Sequence, residues 1–451
     1  VEPVTLQTLS QWAGGKLLSG DPGCTVTHIC TDSRTLKSGD LFLALRGENF
    51  DAHDFAGKAA EIGAAGLVAD RDLENLPPGF AVIRVADTLA ALQQIAANYR
   101  RTLPLKAVVI TGSNGKTSTK DFTAAVLEQR FKVVKTVGNL NNHIGLPLTL
   151  LRASADDEIG VFEIGMNHPG EIGPLAKIAK PDVGVITNIG VAHIEFMGSR
   201  DAIALEKGML AEALESGGHL VLDMEDDYTP AVAGRTRATV IRSGVEVCVT
   251  EVRQEADGSR FVVHANDRSA EVRLPVPGRH MISNALLAIA VGTIFGLTLE
   301  ECAAGLAKTR LTKGRLEMKV IRGIRVIDDS YNANPDSMVA ALQTLAGIPA
   351  EGRRIAVLGK MNELGAESES GHRRVGEAAG REGIDCLVAV GKGAEPIAAA
   401  AAESGVKEVI RVATTGEAAD VLGKLAQPGD VLLVKGSRSV KMETIVEGLA
   451  A

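Results

Sequence analysis

Short apolar runs separated by helix-compatible stretches set the narrowest limit on this fold. AVVIT (107–111), KVVKT (132–136), IGVFEIG (159–165), VGVITNI (183–189) and HLVLD (219–223) recur through the middle of the chain. RVIDDSY, RIAVLG, CLVAVG, EVIRVA and DVLLVKG recur beyond Gly314. A strand that is apolar on both faces needs cover on both, which a parallel sheet flanked by helices supplies. Residues 247–275 (VCVTEVRQ, RFVVHAN, AEVRLPV) alternate instead and predict a small antiparallel addition. The first region mixes short strands (LFLAL, GLVAD, FAVIRV) with short helices, and the linker-like ENLPPG lies near its end. The expected class is α/β with three domains. They are a small α/β N-terminal domain (1–86), a central P-loop-type domain with a mostly parallel sheet (87–313) and a C-terminal Rossmann-like domain (314–451).

A length of 451 residues suits two to four domains, and 45% hydrophobic with 23% charged residues is an ordinary globular balance. Aromatic residues are 3%, so the cores must rest on Ala, Val, Leu and Ile. The net charge of −8, with no strongly basic stretch, argues against nucleic acid as a partner. Five scattered cysteines form no CxxC pair and no Cys/His cluster of zinc spacing, and suit reduced thiols. The opening VEPVTLQTLSQWAGG has neither a positively charged nor an apolar segment. No run reaches the ~18 apolar residues of a membrane helix. A cytoplasmic protein without a membrane span is expected, and a monomer.

VVITGSNGKTSTK (108–120) joins an apolar strand to a helix through glycines. Backbone N–H groups and the helix dipole at such a junction attract anions. The common phosphate loop has a Gly six residues before its Lys; here that place holds Ile110 and the first loop glycine is Gly112. Gly112 and Gly115 allow close approach of phosphate, Lys116 supplies positive charge, and the Thr117 hydroxyl is placed for Mg²⁺. Glu163 stands in an apolar strand, where a charge is costly unless paired or metal-bound. It lies at the carboxyl end of its strand, as Asn188 and His193 do after the next one, the end where α/β sheets bind ligands.

TGSNGKTS, GNLNNHIGLPLTLL, FEIGMNHPGEI, NIGVAHIEFMGS with Lys207 downstream, GRHMISNALLA, DDSYNANPDSM and LVKGSRS follow one another in this order. Together they resemble the Mur ligases of bacterial cell-wall synthesis over essentially the whole length. In that family the shortened loop is the normal form. The resemblance implies that ATP is bound by Gly112, Ser113, Asn114, Gly115, Lys116, Thr117 and Ser118, with Asn284 at adenine, Arg315 at the γ-phosphate, and Asp329 and Asn332 at ribose or adenine. Met281 stands where the family often has Asn. Thr117 and Glu163 would hold one Mg²⁺; His193 and Lys207, the latter as a CO₂-derived carbamate, would hold a second. Lys116, Glu163, His193 and Lys207 are then the catalytic set. A carbamate is an oxygen anion that suits Mg²⁺, whereas an ammonium would repel it.

The resemblance further implies an acceptor, UDP-N-acetylmuramoyl-tripeptide, and an incoming dipeptide, D-alanyl-D-alanine. Ser33, Arg34, Arg46, Gly47 and His53 would meet the uridine diphosphate. Asn139, Asn141 and Asn142 in GNLNN would meet the sugar and peptide. Lys435, Ser437 and Arg438 in KGSRS would hold the dipeptide carboxylate. In GKMNELG (359–365) Lys360 replaces the usual acidic residue, which puts a charge role there in doubt. The acceptor carboxylate would attack ATP, and the dipeptide amine would attack the resulting acyl phosphate. Closure of the third domain is expected to bring Arg315 to the loop. Local readings stay open beside these: a helix cap for TDSR, Asn-driven turns for GNLNN, a solvated Lys207, and a basic turn for KGSRS. Sister ligases acting on a third amino acid or on folates, and a nucleotide switch without turnover, are the alternatives.

Overall fold

A computed structural model describes residues 1–47 and 49–450. The chain forms two compact units. One comprises residues 1–109, 131–165 and 171–182; the other comprises 110–130, 166–170 and the chain from Val183 onward.

The first unit contains a five-stranded sheet in the order Lys16–Ser19, Val82–Arg84, Gly66–Ala69, Leu41–Leu43, Ile29–Cys30. All neighbours are parallel except the edge strand Lys16–Ser19. Gly66–Ala69 is buried along its whole length, as a strand covered on both faces should be. Helix Thr88–Thr102 follows, started by Asp87, whose carboxylate accepts from Ala90 N–H at 2.7 Å. Its buried residues Thr88, Ala91, Leu92, Ile95, Ala96 and Tyr99 recur every three or four positions and form one face. Strand Ile159–Glu163, fully buried, runs parallel to Val133–Lys135.

Tyr99 ties this unit together. Its hydroxyl donates to Ala153 O at 2.7 Å and accepts from Glu2 N–H at 2.9 Å, and the residue is 1% exposed. Tyr99→Phe leaves both backbone groups unpaired, so we expect a loss of about 1–3 kcal/mol, read from the denaturant midpoint.

The second unit holds parallel strands Val183–Ile186, His219–Asp223 and Thr239–Ser243. The expected antiparallel group follows as Val247–Glu255, Gly258–Ala265 and Arg268–Leu274. A further six-stranded sheet runs Glu317–Ile321, Ile324–Asp329, Val431–Lys435, Arg354–Gly359, Cys386–Val390, Glu408–Val412. Only the first of these is antiparallel to its neighbour. Its core is built from Val326, Val357, Val388, Leu432 and Val434, capped by Ile445 and Leu449. Aliphatic residues carry this core, as the scarcity of aromatics requires. No described helix is long and apolar enough to cross a membrane.

The phosphate loop and its helix belong to the second unit, with the six-stranded sheet.

Candidate active site

The phosphate loop closes strand Lys106–Thr111 and opens helix Lys116–Leu127. Gly112 and Gly115 have φ of +149° and +78°, backbone that favours glycine. Each also needs the space: a β-carbon would lie 1.8 Å from Thr187 Oγ1 at position 112 and 2.4 Å from Asn284 Oδ1 at position 115. The loop is braced from behind. Ser113 N–H donates to Asn188 O (2.9 Å), Asn114 N–H to Asn188 Oδ1 (3.0 Å), and Gly190 N–H to Ser113 Oγ (2.8 Å). Asn188 therefore shapes the loop, and the strand-end position inferred from sequence has a definite job.

Lys116 Nζ donates to Gly112 O at 2.8 Å and Ser113 O at 3.3 Å, which holds the ammonium over the loop. Lys207, 1% exposed, donates to the same Gly112 carbonyl at 3.0 Å. Burial pushes its ammonium well below the ordinary range, the Lys116 charge adds to this, and Glu206 opposes it. The solvated surface reading of Lys207 therefore does not hold. Glu206 in turn accepts from Gly170 N–H at 2.8 Å.

Glu163 is 2% exposed; its Oε1 accepts from Asn141 Nδ2 at 2.7 Å, while Oε2 is buried with no hydrogen-bond partner. An orphaned buried carboxylate oxygen fits a cation ligand. No group of three or more His, Cys, Asp or Glu gathers at metal-binding distances among the described residues. Mg²⁺ takes one or two protein oxygens and fills its shell with phosphate and water. Thr117 and Glu163 carry oxygens of the right kind. His193 adopts φ +63°, and its Nδ1 lies 2.6 Å from Glu363 Oε2. The imidazole holds the Glu363 carboxyl below its ordinary range. Lys360 left that segment without its usual acid, yet Glu363 three residues on supplies a carboxylate.

Around the loop lies a cleft of about 750 Å³, within the range of small-molecule sites. Ser113 to Ser118, His193, Asn284, Arg315, Asp329, Asn332, Lys435 and Arg438 line it. Arg315 Nη2 stands 3.4 Å from Thr117 Oγ1, so the arginine expected to arrive by closure is already at the loop. Its Nε is buried without a partner.

The residues expected at the acceptor and dipeptide stand differently. Ser33 and Arg34 lie in one turn, with Arg34 exposed and paired to Asp32 at 2.7 Å. Arg46 meets Asp70 at 2.6 Å, and Gly47 N–H donates to Phe50 O. The His53 side chain is 0% exposed, between Asp51 (2.5 Å) and Asp70 (3.3 Å); it braces the turn and offers no face to a ligand. Asn139 is exposed, whereas Asn142 Oδ1 accepts from Ile144 and Gly145 N–H in the turn before helix Gly145–Leu150. Lys435 is buried and spent internally, on Asp329 Oδ2 (2.6 Å) and Asn332 O (3.0 Å). Burial pushes its ammonium below the ordinary range, with Asp329 opposing and Arg315 adding. Ser437 is 1% exposed and accepts from Asn362 N–H; only Arg438 of this trio is exposed.

Sequence reasoning passed over Tyr331, Asn334, Asp336 and Glu363. Asn334 Nδ2 donates to Asn114 Oδ1 (2.7 Å), and Asp336 Oδ2 accepts from Val191 N–H (3.1 Å). Gly190 permits this approach, since a β-carbon there would sit 2.5 Å from Asp336 Oδ2. The signal lay in DDSYNANPDS: Asn334 before Pro335 is a helix start, and it caps helix Pro335–Gly347.

A braced glycine loop at a helix start, two lysines on one carbonyl and an arginine at the loop threonine define a phosphate-handling α/β enzyme. Family models match successive parts of the chain: "Mur ligase family, catalytic domain" over 25–100, "Mur ligase middle domain" over 110–292, and "Mur ligase, glutamate ligase domain" over 314–438. The chain belongs to the Mur ligase family. It is 38% identical over 453 residues to the UDP-N-acetylmuramoyl-tripeptide–D-alanyl-D-alanine ligase of Bacillus subtilis (strain 168), covering 99% of this chain and 98% of that one. A crystal structure of MurF from Acinetobacter baumannii matches with TM-score 0.93 and 35% identity, covering 100% and 99%. The MurF ligase of Thermotoga maritima in complex with ADP matches with TM-score 0.85 and 28% identity, covering 94% and 97%.

Proposed function

We propose that this chain is an ATP-dependent amide ligase. It joins D-alanyl-D-alanine to UDP-N-acetylmuramoyl-tripeptide and releases ADP and phosphate. The observation that carries this reading is the cleft, where a phosphate loop faces an arginine that has no carboxylate partner among the described residues. The kinship with ligases of that name supplies the substrates. ATP lies along Gly112 to Ser118, with Asn284, Asp329 and Asn332 towards the nucleoside. Lys116 and Arg315 balance the charge that develops as the acceptor carboxylate attacks the γ-phosphate. The acyl phosphate then meets the dipeptide amine, and a tetrahedral intermediate collapses to the amide. A free α-amine has a pKa near ~8, so little help is needed to present it neutral.

Mg²⁺ would be held by Thr117 and Glu163, and a second ion by His193 and carbamylated Lys207, where its chemistry is neutralisation of phosphate charge. Residues 1–86 take the uridine end, with Ser33, Arg34, Arg46 and Gly47 nearest it. The Asn139–Asn142 loop takes the sugar and peptide. Residues 314–451 take the dipeptide, with Arg438 as the exposed cation for its carboxylate. The enzyme works as a monomer in the cytoplasm.

The test is phosphate release from ATP with the UDP-linked tripeptide and the dipeptide supplied together and singly. Release that depends on both is expected. Release without the acceptor, or with folate and glutamate instead, would overturn the reading.

A further inference from the structure

The turn carrying Arg315 is unusual. Gly314 and Leu316 on either side both have positive φ, +70° and +48°, and Leu316 is buried. Left-handed backbone at a bulky residue is strained and persists only where surroundings enforce it. Here the enforcing segment is Asp329–Tyr331. Tyr331 N–H donates to Gly314 O at 3.2 Å, and Leu316 N–H donates to Asp329 Oδ1 at 3.2 Å. Asp329 is itself fixed through its other oxygen by Lys435, its cross-strand neighbour in the parallel register. Between these two backbone ties the Arg315 guanidinium lies over the Tyr331 ring, 4.1 Å from its centroid. Among the described residues Arg315 has no carboxylate partner, and Tyr331 makes no side-chain hydrogen bond through its hydroxyl. The ring face is thus the main contact that orients this cation.

We infer that Tyr331 is a positioning residue for Arg315, holding the guanidinium beside Thr117 so that its free donors meet the terminal phosphate. This rests on the proposed ligase reading. Arg438 also approaches the ring, at 6.0 Å, but that is the outer limit of such an interaction and its guanidinium is paired with Glu443 at 2.8 Å. The aromatic face attracts a cation electrostatically and leaves its N–H edge free, which a carboxylate partner would not do. The contact therefore orients Arg315 without neutralising it.

The experiment measures binding of ADP and of a non-hydrolysable ATP analogue to the full chain by calorimetry, for wild type, Tyr331→Phe and Tyr331→Leu. Wild type and Tyr331→Phe should prefer the analogue over ADP by a similar ratio. Tyr331→Leu should keep ADP affinity within about twofold and lose about tenfold for the analogue. In an Arg315→Ala background the same change should leave the ratio untouched. Should the leucine variant not fold, Tyr331→Met gives the same comparison. Equal weakening for both nucleotides or an unchanged ratio would overturn the inference. Wild type binding neither nucleotide would overturn the ligase reading, and this inference with it.

Discussion

Replacing Lys116 with alanine is expected to lower the ligation rate by at least about 10³-fold while leaving the fold intact. The expectation follows from where the ammonium already sits. Lys116 Nζ is tied to two loop carbonyls, Gly112 O and Ser113 O, so its charge is preorganised over the phosphate position. A preset charge costs no reorganisation when phosphoryl charge spreads. Its side chain is only half-buried, so its removal opens no core cavity. Lys116→Arg should rescue poorly, because a planar fork cannot occupy the place of a compact ammonium. The checks are the two-substrate phosphate-release assay and a thermal melt. Ligation within tenfold of wild type in a folded Lys116→Ala protein would sink the assignment.

What could be read from sequence alone follows how local each feature is. Gly112 to Thr117 is contiguous, and its strand, glycines and helix announce the loop together. Glu163 was legible for another reason: a lone carboxylate in a fully apolar strand demands an explanation, and its orphaned oxygen now gives one. Asn188 was noticed at a strand end, but its double hold on the loop needed coordinates. Pairs made by topology were out of reach. Asp329 and Lys435 are 106 residues apart and meet because their strands are parallel neighbours in register. That register converts Lys435 from an expected ligand for the dipeptide into a brace for Asp329. His53 shows the same limit in a short turn. The resemblance offers His53 to the uridine diphosphate, yet the turn folds it inward against Asp51 and Asp70. Glu363 stands three residues beyond Lys360, and its left-handed backbone turns the carboxylate to His193 in a way no local pattern announces.

Lys207 carries the other large effect. Buried, and sharing the Gly112 carbonyl with Lys116, its amine is driven towards the neutral form by desolvation first and by its neighbour's charge second. A neutral amine can add to the carbon of CO₂ and, on losing a proton, becomes a carbamate anion. That exchange replaces repulsion with Lys116 by attraction. Activity should therefore fall at least about tenfold in CO₂-depleted buffer and return with bicarbonate. Lys207→Met should lose at least about 100-fold and gain nothing from bicarbonate. A readout independent of turnover is a carbamate resonance on the protein with isotope-labelled bicarbonate, absent in Lys207→Met. Stability gives a second. With CO₂ and Mg²⁺ removed, the folded-state pKa of Lys207 lies below that of the unfolded chain. The unfolded state then binds more protons between the two values, so stability rises with pH towards the ordinary lysine value of 10.5. Under those conditions Lys207→Met should be more stable than wild type at neutral pH, by about 1–3 kcal/mol, with the gain shrinking as pH rises. Denaturant midpoints at neutral and alkaline pH decide it. A destabilised Lys207→Met protein, with wild-type activity indifferent to CO₂, would mean that Lys207 serves the fold alone.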